Sequence, residues 1–284
     1  MIKTARDTWR VLEPIHGMIY FAPEAAAAYK ALGLSYHAGY FASRSAGLGT
    51  VPASVVIATF YNFNPRLVTD SISTAWATTD PASVLAARRT AADQTLRRVL
   101  GHDAVESPEI ARAATLLREA AETVADDFTG RPLYAAHAAL PWPDEPHLVL
   151  WHAQTLLREY RGDAHVAALL TAGLSGIEAL ITHAATGTIR AETLRTTRGW
   201  SEADWYNAVD GLRERDWLTE APEPTFTALG QARRAEIERV TDENSAKPYI
   251  HLGESRCAEL QALAKPYSRA LAEELMPWLL ARKS

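Results

Sequence analysis

The sequence predicts an all-α protein. Alanine-rich segments with apolar residues three and four apart recur from end to end, short Pro- or Gly-marked breaks separate them, and only one stretch carries a strand signal. The clearest helices are Pro81 to Leu100 (PASVLAARRTAADQTLRRVL), Glu109 to Asp126 and Leu148 to Arg161, each with one apolar face. Breaks fall at GLGTVP (Gly47 to Pro52), NFNP (Asn62 to Pro65), TGRP (Thr129 to Pro132) and PWPDEP (Pro141 to Pro146). Proline lacks a backbone donor and disfavours helix in the residue before it, so these are boundaries. The strand signal is DWLTE followed by TFT, around Pro222 and Pro224. The expected layout is a multi-helix body with a candidate ligand pocket over 1–186, then a segment over 187–242 with one short β-hairpin. Closing helices over 243–284 pack on the body or on a partner.

Bulk properties narrow the function classes. A chain of 284 residues can bury one large core or two smaller ones. Apolar residues are 48% and charged residues 22% of the chain, which fits an ordinary globular protein rather than a disordered one. No run of about 18 apolar residues occurs, so no membrane span is expected. The N-terminal MIKTARDTWRVLE turns amphipathic at once and lacks the apolar core of a signal peptide, which points to the cytoplasm. Cys257 is the one cysteine, excluding an internal disulfide and any multi-cysteine metal site. A net charge of −5 gives no general attraction to nucleic acid.

The stretch TTRGWSEADWYNAVDGLRERDWLTEAPEPTFTALG, Thr196 to Gly230, has the order of a helix-turn-helix with a wing. Ser201 with Asp204 fixes a helix start, and Trp205, Val209 and Leu212 form its inward face. ETLRTTRG supplies a short helix before it, and a third helix opens at Thr227 and runs to about Asp242. This order resembles the MarR-type winged helix, whose second helix enters the major groove. The charge has the wrong sign for that task. Ser201 to Trp217 carries Glu202, Asp204, Asp210, Glu214 and Asp216 against Arg213 and Arg215 alone. The wing tip, TEAPEP, adds Glu220 and Glu223, where phosphate would be repelled. Arg190, Arg195 and Arg198 are the counter-argument, placed to touch a backbone from the preceding helix.

Four stretches carry a wider resemblance: LEPIHGMIYFAPEAAAAYKALGL, GYFASRSAGLGTVPASVVIATFYNFNP, GRPLYAAHAALPWPDEPHLVLWHAQTLLREYRGDAHVAALL and TRGWSEADWYNAVDGLRERDWL. Across them the chain resembles an actinobacterial family of helix-turn-helix, SalK-like proteins. The resemblance implies a shared helical fold and a setting near specialised metabolism; it assigns no chemistry and does not imply a regulator.

Polar residues interrupt apolar helices in three places. In LVLWHAQTLLREYRGDAH, His152, Thr155 and Glu159 fall at i, i+3 and i+7 of an otherwise apolar helix. Gly162 lets the chain turn there, Asp163 caps a following helix, and His165 in its first turn is directed back towards Glu159. A carboxylate beside imidazole suits acid–base chemistry. The alternative is that Glu159 pairs with Arg158, Arg161 or another arginine on a solvated face. In LEPIHGMIYFAPE, Glu13, His16 and Tyr20 repeat the spacing, and Pro14 kinks the helix. Glu-x-x-His is half of a di-iron motif whose second half is absent, and no spacing demands a metal. In SYHAGYFASRSAG, Tyr36, His37, Tyr40 and Arg44 sit among small residues, either for tight packing or as a pocket wall, with Asn62 of FYNFN as a further amide partner. Phosphate loops, Gly-x-Gly-x-x-Gly turns and nucleophile elbows are absent.

Three readings follow. The first is a protein that binds an apolar or aromatic small molecule, with no cofactor and no metal. It extends to an enzyme in which His152 or His165 moves a proton and Glu159 orients it. The second is a ligand-responsive, MarR-like DNA-binding regulator. The third is a structural or interaction protein with no pocket chemistry. Independently of these, a homodimer with apolar interface from the terminal helix and Trp278 is expected, as winged-helix proteins of this type commonly dimerise.

Overall fold

The computed structural model describes residues 1–280 and is helical throughout, with two compact units that cut across the three sequence segments. One unit comprises Met1–Thr50, Thr74–Asp163 and the chain from Asp242 onward; the other comprises Val51–Ser73 and Ala164–Thr241. Residues 51–73 and 164–186 therefore group with the helix-turn-helix segment, and the closing helices group with the N-terminus.

Serine or aspartate caps and first-position prolines set most helix starts. In the first unit α1 runs Ile2–Gly17, α2 Pro23–Ala31 and α3 Tyr36–Ser45, the last capped by the Ser35 hydroxyl on the Ala38 N–H. α4 (Ala53–Phe60) and the start of α5 (Pro65–Thr78) belong to the second unit. α6 spans Pro81–Leu100, bounded as the sequence predicts, with Asp80 accepting from the Ser83 N–H. Short α7 (His102–Val105), α8 (Pro108–Glu122) and α9 (Pro132–Ala138) follow. α10, Pro146–Thr171, is longer than expected, and α11 is Gly176–Ala184.

The core of the first unit is built from α1, α8 and α15 (Lys247–Leu275), with α6 against α2. Leu12, Ile15, Leu116, Leu117, Leu260 and Leu271 are almost wholly buried there. Gly253, at φ 76°, breaks the run of α15 where no other residue would relax. Cys257 is a buried core thiol.

The second unit holds the helix-turn-helix: α12 (Ala191–Thr197), α13 (Glu202–Glu214) and α14 (Ala228–Ser245), which ends in the first unit. Ser201 caps α13, accepting from the Asp204 N–H, and Trp205, Val209 and Leu212 face inward. The expected hairpin does not form as two strands. A single antiparallel bridge joins Leu218 to Phe226, flanked by Thr219 N–H to the Thr225 carbonyl at 2.9 Å and Thr227 N–H to the Trp217 carbonyl at 3.1 Å. Pro222 and Pro224 bring no donors, so the ladder stops after this rung. Gly230 is required here, since a Cβ on it would lie 2.0 Å from the Trp217 carbonyl oxygen.

Candidate functional site

Within the first unit, α1, α3 and α10 bring most of the singled-out polar residues to one buried network. Glu159 is 2% exposed, yet it meets solvent's charge equivalents inside the protein: Arg44 Nη2 lies 3.2 Å from each carboxylate oxygen and Arg158 Nη1 3.0 Å from Oε1. Burial pushes its pKa up, but the two guanidinium charges overcome that and hold it at about 2. Arg158 also donates through Nε to Glu13 at 3.1 Å, and burial raises the Glu13 pKa despite that contact. The pairing alternative for Glu159 is the observed one, with the difference that the face is interior.

His16 is fully buried, with Nδ1 2.9 Å from the Thr155 hydroxyl and Nε2 2.7 Å from the Tyr20 hydroxyl. Thr155 gives its own proton to the Trp151 carbonyl at 2.9 Å, so at His16 it accepts. Nδ1 therefore carries the imidazole hydrogen, and Nε2 accepts from Tyr20. Burial, reinforced by Arg158, Arg88 and Arg44, drives the His16 pKa well down and keeps the ring neutral. α1 continues through Pro14 to Gly17, and Tyr20 stands on the 3-10 turn that follows.

Tyr20 and Tyr40 look from this network into a cavity of about 790 Å³. Its walls include Leu34, Phe21, Tyr29, Ser43 and Trp278, so it is mostly apolar with a few hydroxyls. The two tyrosine rings are 5.4 Å apart, and Arg44 Nη1 donates to the Tyr40 hydroxyl at 2.9 Å. Gly39 makes the wall thin: a Cβ there would come within 2.8 Å of the Tyr29 Cβ. Tight helix packing and a pocket wall thus coexist in this stretch. Trp278 turns onto its own chain, edge-on to Phe21 at 4.8 Å.

Other residues fall elsewhere. Tyr36 is exposed and lines the cavity rim, while His37 stacks edge-on against it at 5.4 Å and does not line the cavity. His152 is buried but packs edge-on against Trp142 at 4.8 Å, and burial with the Arg88 charge lowers its pKa to about 4. The turn expected at Gly162 is absent, because α10 continues to Thr171. Six residues of helix put His165 about 9 Å along and roughly 240° around from Glu159; its Nδ1 instead meets the Thr241 hydroxyl at 3.0 Å. Asp163 caps no following helix. It accepts from the Tyr134 N–H at 2.8 Å near the start of α9, and burial raises its pKa to about 7. Asn62 lies in the second unit, its backbone carbonyl accepting from Trp200 Nε1 at 2.9 Å. Among the described residues no three His, Cys, Asp or Glu side chains gather as a metal site.

Sequence reading missed Arg88, His137 and Gln154. All three are buried, on α6, α9 and α10, and a lone polar residue on an apolar helix gives no signal of what faces it.

On the helix-turn-helix, charges pair locally at the surface. Arg195 meets Glu202 at 3.1 Å and Arg190 meets Glu192 at 3.3 Å, while the Arg198 guanidinium sits 5.1 Å from the Phe63 ring. Arg213 holds the wing, donating to the Thr219 and Ala221 carbonyls at 3.2 and 2.8 Å. The exposed face of α13 carries Glu202, Asp204, Asp210 and Glu214. No single helix among the described residues is long and apolar enough to cross a membrane.

A family model described as a helix-turn-helix family matches residues 5–277. No curated protein and no solved structure matches the chain.

Proposed function

The chain belongs to that helix-turn-helix family, and we propose that it is a small-molecule-binding protein whose ligand occupies the tyrosine-lined cavity. The observation that carries this reading is the cavity of about 790 Å³ with an apolar wall and hydroxyls oriented from behind by His16 and Arg44. Concave, largely apolar sites with a few fixed polar groups suit small ligands of aromatic or apolar character. The helix-turn-helix serves as scaffold in this reading. Acid–base catalysis by Glu159 fits poorly, because a general base works best with a pKa near the working pH and this carboxylate is held at about 2.

Binding of indole, a neutral aromatic probe, is measured by thermal shift. Ala26→Trp, an exposed position on the cavity wall, fills the space. Saturable stabilisation lost in that variant supports the reading; no stabilisation of the parent protein by indole ends it.

Family membership favours a second reading, a DNA-binding regulator in the MarR manner. Against it stands the acidic face of α13. A gel-shift at low salt with the neighbouring promoter DNA decides: a specific complex there makes the protein a regulator and the cavity its effector site.

A further inference from the structure

We propose that the helix-turn-helix unit has a ligand site of its own, a groove that takes an aliphatic carboxylate and holds its charge on Arg233. The groove has a volume of about 650 Å³, and every residue lining it belongs to the second unit. It shares no residue with the tyrosine-lined cavity, so the proposal goes beyond the function given above and does not rest on it.

Small residues leave room for the groove. Ala168 and Ala172, one turn apart near the end of α10, present only methyl groups to it. From α14 come Arg233, Glu236, Ile237 and Val240, at i, i+3, i+4 and i+7 and therefore on one helix face. Trp217, just past α13, also lines the groove. It is 3% exposed and already has the Arg233 guanidinium 5.4 Å from its ring centroid, so it offers no open face for an aromatic ring to stack on. The walls provide alkyl contact instead, which suits an aliphatic body.

Three charged side chains line the groove, and two are matched within the protein. Arg215 pairs with Glu178 and donates to the Gly173 carbonyl at 3.0 Å. Glu236 accepts from Arg239 Nε at 2.7 Å. Arg233 pairs with no acid among the described residues. Its Nη1 donates to the Arg215 carbonyl at 2.9 Å, while neither Nε nor Nη2 meets a protein acceptor. The carbonyl and the indole ring fix the guanidinium, and the edge left over is Nε with Nη2, whose two N–H bonds run parallel and match a carboxylate. Elsewhere in this chain the same edge grips such a group: Arg112 holds Glu259 through Nε at 2.7 Å and Nη2 at 3.1 Å. With Arg215 and Glu236 each neutralised by its partner, the groove presents one positive charge, the match of a monocarboxylate.

The test uses the full-length protein at pH 7.5 and three probes: octanoate, its neutral counterpart octanamide, and inorganic phosphate. Dissociation constants come from titration calorimetry of the parent protein, Arg233→Gln, Arg233→Lys and Thr171→Trp, the last filling the groove from an exposed position. Each titration is repeated with Ala26→Trp added, which fills the tyrosine-lined cavity and tells the two places apart. The expected result is at least a fivefold preference for octanoate over octanamide, unchanged by Ala26→Trp, lost in Arg233→Gln and partly kept in Arg233→Lys. Thr171→Trp should abolish binding of both probes. Should Arg233→Gln fail to fold, a reduced preference in Arg233→Lys at constant octanamide affinity gives the same support. No octanoate binding, equal binding of octanoate and octanamide, a preference that survives Arg233→Gln, or displacement of octanoate by phosphate each overturns the proposal. So does octanoate binding that Ala26→Trp removes. A dimer that dissociates in Arg233→Gln, read by sedimentation, overturns it too, because an acid of a second copy then fills the fork. None of these failures touches the indole result that tests the tyrosine-lined cavity.

Discussion

The two units use charge in opposite ways. In the first, Arg44, Glu159, Arg158 and Arg88 lie inside or at the edge of an apolar core. In the second, the arginines of α12 and α13 lie at the surface or half-buried beside it, each with a neighbouring acid or carbonyl. Exposed pairs contribute little to stability and are screened by salt, whereas an interior pair is costly to break. The difference teaches where specificity has been concentrated. The helix-turn-helix is intact as a fold but shows an acidic face, and the helical unit places an orientated polar network behind a cavity.

Four measurements test this contrast, beginning with the largest effect. Glu159→Gln leaves Arg44 buried without its acid and Arg158 with Glu13 alone, and should cost about 3–5 kcal/mol in urea unfolding; a loss below about 1 kcal/mol would mean the interior charges are as loosely coupled as the surface ones.

Acid comes next. His16, His137 and His152 have folded pKa values below the ordinary 6.5, with His137 at about 3 and His152 at about 4. The unfolded chain therefore binds their protons first, and the stability they give above about pH 6.5 is lost as pH falls towards the folded values. Asp163 and Glu13, both raised, run the other way and gain stability on acidification. The histidines outnumber the raised acids, so the net expectation is a loss of stability as pH falls from 6.5 to 5. Denaturant unfolding across that range measures it, and His152→Gln should flatten the profile.

Thr155→Val strands the His16 Nδ1 hydrogen and should cost about 1–3 kcal/mol, read in the same assay. Last, Glu202→Ala removes the surface partner of Arg195 and should change stability by under about 0.5 kcal/mol. A large effect there would show that α13 is locked by its charges rather than by Trp205, Val209 and Leu212.

Much of the fold was legible because helix periodicity and proline placement are local. Pro65, Pro81, Pro108, Pro132 and Pro146 each open a helix, and PASVLAARRTAADQTLRRVL has the observed bounds of α6. The wing was misjudged as two strands, since Pro222 and Pro224 limit pairing to one rung. For the site, spacing at i, i+3 and i+7 grouped His16 with Tyr20, which are hydrogen-bonded, and set Thr155 and Glu159 on one helix face that read either as a site or as solvated surface and is in fact buried. The face did not reveal its opposite number. That Arg44 would reach Glu159 across 115 residues, or that Arg88 would lie over Trp151, depends on packing between distant segments. The break assumed at Gly162 had a plain cause: glycine permits a turn without compelling one, and the apolar stripe of α10 ran on through it.

The direction of the hydrogens in the chain from Tyr20 through His16 and Thr155 to the Trp151 carbonyl has a chemical consequence. Every proton in that relay points inward, so the Tyr20 oxygen can offer only lone pairs to whatever enters beside it. A visitor bearing an alcohol or an N–H at that spot finds a match, and an ether or ester oxygen meets a second acceptor. The relay makes the tyrosine a one-way reader of functional groups.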